Sequence, residues 1–359
     1  MTSTAATTMP AYRINDWLEN PRLVDVPVPR PGRGEVLVAV AANGLCHSDL
    51  TMSQIPGEIG ELIGWRVPFT LGHEIAGTVA ALGEEATDAP LVGTPVALVS
   101  PASCGRCAYC LAGRDSACPN GLAGRGYGRD GGLAPYVVAP VRALIPLNGL
   151  DPVAAAPLTD AGATSYHAVR RVLPVLEPGG TAVVIGAGGL GGFAIQHLKA
   201  CSPARVVAVD TSPARLATAR EFGADETVSG VGAERGDPAR VAGALKEACG
   251  GDGAAAVLDF VGTDATITAG IGAVRPCGAF GLVGSGGGRL RAAWYGGLPR
   301  EAEVFTFQGS TIADAHAVVA LAVAGRIRSL VEVFPLDAVA DAYHALDEAT
   351  LRGRAVITP

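Results

Sequence analysis

Along residues 11–160 the apolar positions come in short runs, some alternating with polar ones, closed by Gly, Pro or Asp. Segments 35–41, 75–82 and 95–99 are of this kind and predict strands of a β-rich region. Pro27, Pro29 and Pro31 suit strand edges or loops, because proline cannot donate to a ladder. From about residue 162 the texture changes. Apolar runs of strand length (181–186, 205–210, 254–262, 278–284) now alternate with helix-length segments (190–200, 213–222, 240–248). Strands without a polar face, each followed by a helix, predict a parallel sheet covered on both sides. After about residue 306 a last helix over 313–324 and short elements close the chain.

Composition narrows the function classes. Hydrophobic residues make up 49% and charged ones 17%, enough for a large core and too apolar for compositional disorder. The net charge is −7, with no block of five or six like charges, which argues against a basic surface for nucleic acid or anionic membrane. No apolar stretch approaches the roughly 20 residues of a membrane span. The start, MTSTAATTMP, lacks the basic and apolar regions of a signal peptide and is expected to be a disordered lead-in. A cytoplasmic location follows as the expectation. There thiols stay reduced, and clustered cysteines point to metal before disulfide.

Three constellations carry chemistry. In TAVVIGAGGLGG, Gly186, Gly188 and Gly191 form G-x-G-x-x-G between an apolar strand and a helix pattern, with Gly189 inside the same turn. The next strand, RVVAVD, ends in Asp210, 19 residues after Gly191. Glycines there let backbone N–H groups approach a pyrophosphate, and the acid would bond an adenosine ribose and repel a 2′-phosphate. The pattern thus favours NAD(H), against the alternative that the glycines only permit tight packing. Cys104, Cys107, Cys110 and Cys118 lie within fifteen positions, as a closed tetrahedral zinc site requires; an iron–sulfur cluster is the alternative. Finally, GLCHSD holds Cys46 and GHE holds His73, donors suited to zinc that could equally be a buried thiol and a core histidine.

With GLCHSD, TLGHEIAGTV, the four-cysteine lobe, PLTDAGATSYHA, VVIGAGGLGG and VVAVD in order, the chain resembles the zinc-dependent medium-chain alcohol dehydrogenases over nearly its whole length. It is most similar to the bacterial secondary-alcohol dehydrogenases. The resemblance implies an α/β fold: a GroES-like β-rich catalytic domain (1–160 and 306–359, with a zinc lobe at about 101–120) and a doubly wound Rossmann domain (161–305). It places the active site in the cleft between them. It implies two Zn²⁺ per chain, NAD(H), a small alcohol or carbonyl substrate and a homodimer or homotetramer.

Carried over by position, the resemblance makes Cys46, His73 and Asp160 ligands of a catalytic zinc, with Glu74 an alternate ligand and the four cysteines a structural site. Many relatives carry cysteine where this chain has Asp160, whose alternative role is a helix N-cap. Asp49 would hold the free N–H of His73, and Ser48 would take the alcohol proton. A further relay histidine of many relatives is replaced by Thr51, which leaves His47 or water as the exit. His47 and Arg215 match cationic positions near the cofactor pyrophosphate and ribose; their alternatives are an exposed turn residue and a surface helix charge. Segments 51–69 and 294–311 are expected to wall the substrate pocket. The reaction implied is reversible NAD-linked oxidation of an alcohol, most simply a secondary and fairly apolar one, to a ketone or aldehyde. A polyol or amino-alcohol dehydrogenase and a non-catalytic nucleotide-binding relative are the rival readings.

Overall fold

The computed structural model describes residues 7–230 and 237–359. By internal contacts the chain forms two units, one of residues up to 163 together with 309–359, the other of residues 164–308.

The first unit is built mainly on antiparallel sheet, with Val331–Pro335 and Arg354–Thr358 pairing in parallel. Its larger sheet runs Leu144–Pro146, Pro95–Leu98, Glu74–Leu82, Glu35–Gly44, Arg354–Thr358 and Val331–Pro335, with Tyr136–Pro140 also paired to Glu35–Gly44. Along Glu35–Gly44 the burial alternates, as a strand with one core-facing side must, and Val36, Val38 and Val40 pack with Ile75, Val79, Val96 and Leu98. The C-terminal Arg354–Thr358 strand lies against the end of Glu35–Gly44, with Val356 opposite Gly44. A smaller sheet holds Thr8–Ile14 between Arg22–Pro27 and Phe69–Thr70. Here the expected lead-in is corrected. Residues 1–6 lie outside the described residues, but the strand begins at Thr8, because Met9 and Ala11 bury themselves against Ala134 and Thr8 pairs with Pro27.

The second unit carries six parallel strands in the order Glu226–Ser229, Arg205–Asp210, Thr181–Ile185, Ala254–Asp259, Val274–Leu282, Glu303–Thr306. That is the doubly wound order in which the sheet reverses direction beside its first strand. Both faces are buried. Ala182, Val184, Val206 and Leu258 pack with Ile195 and Leu198 of the Gly189–Cys201 helix, while Val183, Ile185, Val207 and Val257 pack with Leu245 and Ile267 on the other side. Each such Val, Leu or Ile contributes about 1.5–3 kcal/mol when fully buried.

Three elements of this unit escape the pattern reading. Glu226–Ser229 and Glu303–Thr306 are short, half-exposed edge strands with little apolar contrast. The Asp264–Ala273 helix is buried on most sides and shows no polar face to betray its period. The strand expected over 278–284 begins at Val274 and takes in Pro276, where the pairing to Ala254–Asp259 shifts register. An irregular ladder tolerates a residue with no N–H.

Candidate active site

Cys46 follows Gly44 and Leu45 at the end of the Glu35–Gly44 strand and stands at the N-cap of the His47–Met52 helix. Leu45, fully buried and donating its N–H to Ala355 O at 2.9 Å, anchors the turn. Asp49 is the third residue of the helix and is buried. Its Oδ2 accepts the N–H of Cys46 at 3.1 Å, and its Oδ1 lies 3.1 Å from Nδ1 of His73. One carboxylate therefore bonds the cysteine backbone and faces the imidazole.

His73 reaches this place through Gly72, whose φ of +94° no side-chain-bearing residue adopts comfortably. A Cβ on Gly72 would also collide with Asn43. With Nδ1 turned to Asp49, Nε2 of His73 faces Asp160 and lies 3.5 Å from its Oδ2. Asp160 sits between the buried Ala156–Thr159 turn and the Ala161–Val172 helix. The ligand atoms of Cys46, His73, Glu74 and Asp160 all fall within 4.8 Å of one another.

The electrostatics of this cluster favour a cation. Burial alone would depress the pKa of His73, but Asp49, Asp160 and Cys46 outweigh it and hold the imidazole well above its ordinary value. A proton on Nε2 and a metal ion are alternative ways to supply the same positive charge. Glu74 is fully buried, and burial pushes its pKa up to about 8 although the Arg354 guanidinium pulls it down. Its Oε1 accepts from Arg354, while Oε2 has no hydrogen-bond partner among the described residues. Space for that carboxylate exists because Gly44 opposite it has no Cβ. A soft thiolate, an imidazole held in one tautomer and a carboxylate are a donor set that fits Zn²⁺.

Ser48 is exposed, with Oγ 3.5 Å from Sγ of Cys46. Thr51, also exposed, donates its hydroxyl to Ser48 O at 2.8 Å, and His47 is exposed. Two neighbours of the cluster were not legible in the sequence. Arg354 lies 280 positions from Glu74, and no local motif marks it. Tyr127 stands edge-on to His73 with ring centroids 5.9 Å apart, touches Trp65, and donates its hydroxyl to Ser100 O at 2.7 Å.

The second cluster joins Cys104, Cys107, Cys110 and Cys118, again within 4.8 Å of one another. Sulfur–sulfur distances are 4.0 Å for Cys104–Cys110 and 3.9 Å for Cys107–Cys118. A tetrahedron with Zn–S bonds of about 2.3 Å has edges of roughly 3.8 Å, so the spacing fits a closed site. Backbone N–H groups of Arg106 and Cys107 draw the Cys104 thiol down to about 6, while burial pushes Cys118 up to about 11. Asp115 ties the lobe down, accepting from Ser103 Oγ at 3.0 Å and from Arg142 Nη2 at 3.3 Å.

In the second unit the glycine turn is shaped for a close approach of backbone. Gly186 has φ +87°, and a Cβ on Gly191 would overlap the Gly186 carbonyl. Gly188, the N-cap of the Gly189–Cys201 helix, has open space where its Cβ would be. That opening at a helix N-terminus is what a pyrophosphate requires. Asp210 ends its strand nearly buried, accepting Ala187 N and Ser212 N, each at 2.9 Å. It thereby braces the glycine turn, a task that the spacing alone did not reveal. Arg215 is half-buried in the first turn of the Pro213–Glu221 helix.

Residues 32–149 match the alcohol dehydrogenase GroES-like domain, and residues 189–324 the zinc-binding dehydrogenase domain. The chain is 35% identical to an NAD-dependent alcohol dehydrogenase of Sulfurisphaera tokodaii, over 98% of this chain and all of that protein. It is 34% identical to a D-arabinose 1-dehydrogenase (NADP⁺) of Saccharolobus solfataricus, over 93% of each. Among solved structures, the alcohol dehydrogenase of Aeropyrum pernix superposes with a TM-score of 0.88 at 34% identity, covering 98% of this chain and all of that one.

Proposed function

Because the chain belongs to the zinc-dependent medium-chain alcohol dehydrogenases, we propose that it interconverts a secondary, fairly apolar alcohol and its ketone, with zinc and NAD(H) as cofactors. The observation that carries this reading is the Cys46–His73–Asp160 cluster, its imidazole oriented by Asp49. Cys46, His73 and Asp160 hold the catalytic zinc, Glu74 is its alternate ligand, and the four cysteines hold a structural zinc. When bound, zinc supplies a Lewis acid for the hydroxyl or carbonyl oxygen, and NAD supplies the hydride acceptor.

The chain's own residues supply orientation and proton movement. Ser48 Oγ, beside Cys46, takes the alcohol proton. Thr51 cannot pass it on as a base, because a threonine hydroxyl does not ionise near neutral pH and its proton is already given to the Ser48 carbonyl. The proton therefore leaves through water or the exposed His47. Gly186, Gly188, Gly189 and Gly191 cradle the pyrophosphate. Asp210 selects the unphosphorylated ribose, near which Arg215 lies. Tyr127, edge-on to His73 and itself packed on Trp65, gives this side of the cluster an aromatic wall, which supports an apolar substrate.

The sugar-oxidising relative keeps a polyol or sugar alcohol in view as a second reading. Turnover with NAD⁺ and NADH against secondary alcohols, ketones, aldehydes, polyols and aldoses separates the two. The expected result is a kcat/KM for a cyclic secondary alcohol well above that for any polyol; the reverse order would transfer the assignment to the second reading. Cysteines clustered as a zinc site support a reducing, cytoplasmic setting. The family resemblance supports a homodimer or homotetramer, which light scattering would count.

A further inference from the structure

Tyr127 of segment 124–131 packs on His73, but the charged residues of the segment, Arg125, Arg129 and Asp130, are not among the donors of either cysteine-containing cluster. Gly124–Arg125 pairs in parallel with Gly128–Arg129, and the register sets Arg125 opposite Arg129. Both arginines, with Arg13, line a cavity of about 330 Å³ that also takes in Thr70 and Tyr136 and an apolar wall including Met9. Arg125 is only 8% exposed. It donates to Val99 O at 2.5 Å, and its Nε finds no partner among the described residues.

A guanidinium this deeply buried normally has a carboxylate beside it, because an unpaired buried charge is strongly destabilising. Among the described residues neither Arg125 nor Arg129 has one within ion-pair distance. The two acids lining the cavity are engaged elsewhere. Asp130 Oδ1 accepts from Arg13 Nη2 at 3.0 Å and from Thr70 N at 2.8 Å. Glu35 Oε2 accepts from Gly32 N at 2.9 Å. Burial, together with the charge of Arg129, pulls the pKa of Arg125 down despite Tyr127 and Glu35, the mark of a cation short of counter-charge.

We propose that this cavity binds a small organic anion, its carboxylate or phosphate group held between Arg125 and Arg129. Guanidinium forks match the planar oxygens of either group, and an anion there would supply the counter-charge that Arg125 lacks. The volume stands at the small end of ligand pockets, which suits a small molecule. Neither arginine belongs to the zinc or cofactor machinery, so this site is distinct from the alcohol site.

Calorimetric titration of the zinc-loaded enzyme with sodium phosphate, and separately with sodium succinate, tests the proposal. Ionic strength is held with sodium chloride, and saturating NADH fills the glycine turn. At least one of the two anions should bind saturably, once per chain, and which one binds identifies the head group. Arg129 is exposed, so Arg129→Gln and Arg129→Glu should keep the melting temperature and basal turnover. The first should weaken binding at least about tenfold, the loss expected for a charge-assisted hydrogen bond, and the second should abolish it. Heats no greater than those of chloride for both anions would overturn the proposal. Undiminished binding in both Arg129 variants would do so too, by placing the anion elsewhere.

Discussion

Asp160 is the residue at which ligand and cap make opposite forecasts. As a helix cap alone, its loss would cost about 1 kcal/mol of stability and leave turnover intact. As a zinc ligand it supplies one of two negative charges, and Asp160→Asn keeps the capping ability while removing that charge. This variant should stay folded, lose one zinc per chain from the site around His73, and fall at least about a hundredfold in activity, matching or exceeding the 10–100-fold of second-shell losses. Metal analysis beside kinetics reads both quantities; full zinc with near-normal turnover would reduce Asp160 to a cap. Asp210 likewise has two tasks. Asp210→Gly with Thr211→Arg should shift kcat/KM from NAD towards NADP by removing repulsion and adding a phosphate partner. Because Asp210 also accepts Ala187 N and Ser212 N, the same change should cost about 1 kcal/mol for each hydrogen bond lost. An unmodified enzyme that already prefers NADPH would refute this reading of the strand end.

At the scale of the element, the turn between Thr181–Ile185 and Gly189–Cys201 separates folding from binding. A methyl at Gly191 would overlap the Gly186 carbonyl and press on Val184 Cγ1 at 3.3 Å, so the helix would have to move off the sheet. Gly191→Ala should therefore lose about 1–3 kcal/mol of stability, the ordinary cost of overpacking, and cofactor affinity with it. Gly188→Ala meets nothing within 4 Å. It should melt like the wild type yet bind NADH more weakly, because its methyl occupies the approach of the pyrophosphate. Thermal unfolding and NADH titration of the two variants test the contrast; equal melting and equal binding in both would remove the turn from the cofactor site.

For the molecule as a whole, the two donor clusters should differ in lability. On the proposed assignment, the four-cysteine site is closed by thiolates, whereas the Cys46–His73–Asp160 site keeps an exchangeable position. Reconstituted enzyme should contain two zinc ions per chain. Mild chelation should abolish activity while the melting temperature stays nearly constant, and harsher chelation should then lower it as the cysteine lobe opens. Loss of both ions in a single phase, with unfolding, would contradict this order.

Much of this protein is determined by local sequence. Spacing within fifteen residues sets which cysteines can share one ion, and a strand, three glycines and a helix pattern set the cofactor turn, because these geometries are made by neighbouring backbone. The parallel sheet is legible for a related reason: strands such as Thr181–Ile185, buried on both faces, are apolar through their middle and confine polar residues to their ends. Tertiary structure alone decided the rest. The pairing of Arg354 with Glu74, the placement of Tyr127 against His73 and the gap left by Gly44 depend on strands distant in sequence meeting in register. The short edge strands and the buried Asp264–Ala273 helix lie where solvent contrast is weak, so periodicity has nothing to report. Nothing in the sequence singles out Arg125. Only the fold buries it and directs the nearby carboxylates to other donors, because burial and hydrogen-bond partners belong to the packed chain and to no segment of it.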